Sequence, residues 1–184
     1  MVAVIMMTEI CINTEVVVNM KKRITALLLA LTVVFLMGCG SEKTTEVKDV
    51  NFYDLRTAML NATDKLPEMQ TASSADDNAA ELLAYVSDID YEKVSNFFVS
   101  YSKEGLADEI VVISVKDEAD VNEAKESLKK HLEHRKNLFA NYAVEQASRL
   151  ESAVLKVSGR YVVLIIADDY TQIEKAFDDM LKED

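Results

Sequence analysis

The residues with the most chemistry to offer are few. His131 and His134 are the only histidines, three apart in KKHLEHRK. Two acidic pairs, Asp117-Glu118 and Asp168-Asp169, each follow an apolar run and precede an amphipathic one. Two imidazoles do not close a zinc site, which takes four ligands, and the order is not the His-Glu-x-x-His of metalloproteases. Leu132 between them falls on the apolar stripe of a helix, so both rings are expected to face water. Carboxylates at a strand-to-helix corner accept hydrogen bonds from the free amides of the first turn, at roughly 0.5 to 2 kcal/mol each. A calcium site would need six to eight oxygens and usually a glycine turn, and neither corner has that spacing. No Gly-x-Ser-x-Gly elbow occurs, and Gly40, Gly105 and Gly159 are too far apart to form a phosphate loop. The expectation is therefore no catalytic residue, no metal and no cofactor.

A more specific pattern lies near the N-terminus. Lys21, Lys22 and Arg23 precede the uncharged run 24–37, which as a helix of fourteen residues spans roughly 21 Å at about 1.5 Å per residue. That is short of a ~30 Å hydrocarbon core, and basic residues before such a run are the order of a signal peptide. Leu36-Met37-Gly38-Cys39 then resembles the lipobox of bacterial lipoproteins. The resemblance implies cleavage between Gly38 and Cys39 and a diacylglyceryl group on the Cys39 sulfur. A thiol can become a thioether, and two acyl chains satisfy the two-signal requirement for stable anchoring. Met20 stands directly before the basic trio, whereas 1–19 carries Glu9 and Glu15 and fits no targeting class. The expected organisation is a mis-called extension over 1–19 that includes Cys11, a signal peptide over 20–38, a lipidated cysteine and polar tether over 39–48, and one domain over 49–184. An uncleaved helical anchor is the alternative.

Charge narrows the partners. The chain has 32 acidic and 20 basic residues, and only Glu9, Glu15, Lys21, Lys22 and Arg23 precede Cys39. From Cys39 onward 30 acids face 17 bases, a formal charge of 17 minus 30, or -13. Nucleic acid, which needs a basic face, is not expected as a partner. About 136 residues are enough for a single core without disulfide staples.

Apolar spacing predicts helices over 50–62, 79–86, 120–140, 143–151 and 171–181, and strands over 94–102, 109–116, 153–158 and 160–167. Residues 63–78, with the only proline, read as a loop with at most one short extended piece. EIVVISVKDEADVNEAKESL and RYVVLIIADDYTQIEKAFDDML share an order of strand, acidic pair and helix. The expected fold is α+β: a four-stranded antiparallel sheet built from two strand-strand-helix units, with helices packed on it. Within NFFVSY, alternation sends Phe97, Val99 and Tyr101 to one face and Phe98 to the other. Phe97, Phe98 and Tyr101 are thus candidate partner-binding residues, and cover by the N-terminal helices is the competing expectation.

Tyr142, Glu145-Gln146, Ala153 and Gly159-Arg160-Tyr161 with the apolar strand after it resemble the C-terminal signature of a family of unknown function, DUF4358, small lipoproteins of Gram-positive anaerobes. The likeness runs from about Val94 to the C-terminus; Val144 stands where that family has a proline. It implies a lipid-anchored protein on the outer face of the cell membrane and transfers no catalytic residue. The expected function is a non-enzymatic binding or scaffolding module of the cell envelope with a protein partner. An envelope hydrolase or metal-binding module is the alternative.

Overall fold

The computed structural model describes residues 48–182, and the expectations for 1–47, including Met20, Gly38 and Cys39, lie outside the described residues. In chain order the elements are α1 (Phe52–Leu60), β1 (Met69–Ser73), α2 (Ala79–Ala84), β2 (Val94–Ser102), β3 (Glu109–Val115), α3 (Val121–Tyr142), α4 (Ala147–Glu151), β4 (Val154–Ser158), β5 (Tyr161–Ile166) and α5 (Tyr170–Leu181). The five strands form one antiparallel sheet in the order β1-β2-β3-β5-β4.

The expected α+β class is observed, but the sheet has five strands where four were expected. The additional strand, β1, falls in the segment read as a loop. Its sequence, MQTAS, places only Ala72 in the core, so it carries no alternating apolar signal. What makes it a strand is backbone pairing with β2 from Met69↔Ser102 to Ser73↔Phe98, with Thr71 and Ser100 joined through their hydroxyls at 2.7 Å. Apart from Ala72 its side chains are exposed or half-buried on the two faces of the sheet, so an edge strand of this kind can be polar.

β3 and β5 are buried along their whole length and pair from Glu109↔Ile166 to Ser114↔Tyr161. A strand covered on both faces reads as a near-continuous apolar run, which YVVLII is after its first residue and EIVVISV is but for Glu109 and the buried Ser114. Phe97, Val99, Val111, Ile113, Val162 and Leu164 pack on one face against Leu83 of α2 and Ala124, Leu128 and Leu132 of α3. Phe98, Ile110, Val112, Val163 and Ile165 pack on the other against Leu55 and Met59 of α1 and Ile173 and Phe177 of α5. The β2–β3–α3 and β4–β5–α5 units are both present. Exchange of adjacent antiparallel strands by a two-fold axis would leave both helices on one face, yet α3 and α5 lie on opposite faces. The shared sequence order is therefore not a repeated packing.

Local chemistry sets the element ends. Asn51 caps α1, its Oδ1 accepting from the amides of Tyr53 at 2.8 Å and Asp54 at 3.3 Å. Asp90 accepts from the Glu92 amide at 2.9 Å and so opens the 3-10 turn Tyr91–Lys93 that leads into β2. The β4–β5 hairpin turns through Gly159 at φ +51°, a conformation that costs a glycine nothing because it has no Cβ.

Candidate functional site

On the α3 face, at the end of the sheet where β3 begins, lies a cavity of about 450 Å³. Its walls are Ala72 of β1, Leu82 and Val86 from α2 and the turn after it, and Val99 of β2, while the exposed Tyr85 and Tyr101 complete the apolar part. Its polar part is Glu109, His131 and Arg135.

Glu109 is the residue that sequence reasoning missed. It stands in phase with Val111, Ile113 and Val115, so alternation points it into the core, where its side chain is 3% exposed. His131 and Arg135 are one turn apart on α3 and both reach it. His131 Nε2 lies 2.6 Å from Glu109 Oε1, and Arg135 Nε lies 3.3 Å from Oε2. Arg135 also donates from Nη2 to the Ala107 carbonyl at 3.0 Å and lies 4.8 Å from the Phe139 ring centroid. Its Nε is buried and, though near the carboxylate, has no well-directed hydrogen bond among the described residues. The expectation that both histidines face water holds for His134, which is exposed, and fails for His131, whose side chain is 11% exposed. Leu132 is on the buried stripe as read, but His131 follows the buried Leu128 by three residues and takes the side of the helix over Glu109. The available signal was a glutamate in phase with an apolar strand, facing a His-x-x-x-Arg spacing on a helix.

The acidic corners differ from each other. Asp117 accepts from the Ala119 amide at 2.9 Å, the capping role expected for it. Asp168 and Asp169 cap nothing and instead join distant segments. Arg149 of α4 donates to Asp168 at 2.9 Å and to the buried Asp108 at 2.9 Å, while Gln146 accepts from Arg149 at 2.7 Å and from the Ala107 amide at 3.1 Å. Burial pushes the Asp108 carboxyl above its ordinary value, against the opposing charge of Arg149. Lys65 and Thr63, which donate to Asp169 at 2.8 and 2.7 Å, hold that carboxyl below the ordinary range. This network clamps the end of the sheet beside the cavity.

Phe97 and Phe98 are each 1% exposed and sit in opposite cores, Phe97 edge-on to Tyr91 at 6.3 Å and Phe98 edge-on to Phe52 at 6.2 Å. Helices cover both, as the competing expectation held. Of the three candidate partner-binding aromatics only Tyr101, 38% exposed, reaches the surface, and it lines the cavity.

A guanidinium 3.3 Å from Glu109 competes with any cation for that carboxylate, and among the described residues no group of three or more His, Cys, Asp or Glu is placed to hold a metal ion. No helix among the described residues is long and apolar enough to cross a membrane. The Glu109–His131 contact can orient an imidazole for proton transfer, while the apolar walls suit the body of a small molecule.

A five-stranded antiparallel sheet covered on both faces, with a mostly apolar cavity under its long helix, defines a small α+β domain. The chain belongs to the family described as a domain of unknown function, DUF4358, whose model matches residues 68–167. The match begins just before β1 and ends just after β5, so it includes the whole sheet and every cavity residue and leaves out α1 and α5. Among curated proteins and among solved structures, nothing matches the chain.

Proposed function

We propose that this is a lipid-anchored extracytoplasmic protein, held on the outer face of the cell membrane through Cys39, whose DUF4358 domain is a non-enzymatic binding or scaffolding module of the envelope. The observation that carries the anchor is Leu36-Met37-Gly38-Cys39 after Lys21, Lys22, Arg23 and an uncharged run. Support for a binding role comes from the cavity, whose walls are mostly apolar and whose Tyr85 and Tyr101 are open to solvent. A formal charge of -13 from Cys39 onward keeps such a domain off anionic lipid and free to meet a partner. The Glu109–His131 contact is what favours a second reading, an envelope hydrolase with His131 as the base toward water.

Fatty-acid labelling in living cells tests the anchor: label enters the wild type and not Cys39→Ser, and equal labelling of the two refutes it. Cross-linking in the same cells separates the two readings of the domain. A specific envelope protein lost on Tyr101→Ala supports the module, whereas turnover lost on His131→Asn supports the hydrolase.

A further inference from the structure

We propose that the cavity under α3 binds a small organic acid, its apolar body against Val99, Leu82 and Tyr85 and its carboxylate against the Nη1 side of Arg135. The polarity of the floor selects the head group. Glu109 lies with Oε1 2.6 Å from His131 Nε2 and Oε2 3.3 Å from Arg135 Nε, and its side chain is only 3% exposed against 18% for Arg135, so the donor side of the pair is the more open to a ligand. The donors are not exhausted. Arg135 Nη2 is committed to the Ala107 carbonyl, but Nη1 carries two N–H groups and has no acceptor among the described residues. Nη1 is not among the buried unpaired atoms, and Arg135 lines the cavity. A guanidinium edge matches a carboxylate in geometry and charge. An ammonium head would meet the like charge of Arg135, the more exposed partner of the pair, and an alcohol would replace two charge-assisted hydrogen bonds by one to a neutral group.

At ~30 Å³ for each water-sized group, 450 Å³ holds about fifteen such groups, enough for a body of roughly ten heavy atoms and its head. The proposal rests on the domain being a binding module and is independent of the lipid anchor.

The test uses 3-phenylpropionate, 3-phenylpropanol and 3-phenylpropylamine, which share a body and differ in head group. Each is titrated calorimetrically into the full chain in nanodiscs, with empty nanodiscs as the blank. The acid is expected to bind at least tenfold more tightly than the alcohol and the amine, and Arg135→Met to remove that preference. Equal affinities, a preference for the amine, no binding of any probe, or an unchanged preference in Arg135→Met overturns the proposal. Should Arg135→Met fail to fold, Ala72→Leu, which fills the apolar wall, is read instead: the acid is expected to be lost, and retained binding overturns the proposal. Failure here with a partner still captured by cross-linking removes the ligand and keeps the module; absence of both removes the module.

Discussion

Glu109→Gln isolates the charge at the centre of the cavity, because glutamine keeps the size and one acceptor oxygen while removing the counter-ion of Arg135. Removing one partner of a buried ion pair costs about 3 to 5 kcal/mol, mostly from the unpaired charge left behind. The Arg135 side chain is 18% exposed and retains the Ala107 carbonyl and the Phe139 ring, so water and these contacts relieve part of that cost. The expected loss is about 2 to 3 kcal/mol. With urea m-values of about 1 to 3 kcal/mol per molar, this lowers the unfolding midpoint by about 0.7 to 3 M, read by circular dichroism. Arg135→Met removes the other charge, and in the double variant the two losses should fall short of their sum by at least about 1 kcal/mol, as for residues in one network. A midpoint shift below about 0.3 M in Glu109→Gln, or strict additivity in the double variant, would refute the account of the cavity floor as a coupled ion pair.

Two further outcomes follow from the same structure. Phe98→Ala empties a fully covered position between α1 and the sheet and should cost about 3 to 5 kcal/mol, whereas Tyr101→Ala, at a half-open position, should cost about 1 kcal/mol or less; equal losses in chemical denaturation would contradict their placement. Asp169 has its carboxyl held below the ordinary 3.8 by Lys65 and Thr63, so it stabilises the fold above that value and the contribution fades as pH falls through the folded-state value. Thermal melting should find Asp169→Asn less stable than the wild type at pH 7 and indistinguishable from it at the acid end, and a gap that persists there would exclude this linkage.

Legibility in the sequence tracked how local each cause was. The helices α1, α3 and α5 and the two hairpins are written as apolar stripes and turn glycines, because each buries a face whose spacing along the chain is fixed by its own geometry. The acidic corner at Asp117 is likewise a contact two residues long. β1 left almost no mark, since its hydrogen bonds go to the backbone of β2 and any polar sequence can make them. The alternation of NFFVSY fixed that Phe97 and Phe98 point opposite ways, but not that both faces are covered; α1 and α5 close one side and α2 and α3 the other only after the sheet is assembled. The site is the extreme case. Glu109 is 22 residues from His131 and 26 from Arg135, and nothing local requires a strand's first residue to meet a helix's middle turns. The sequence by itself determined the N-terminal lipobox pattern, the acidity and the amphipathic elements; pairing across the sheet decided which of its charged residues share a cavity, because contacts between distant segments exist only once both are packed.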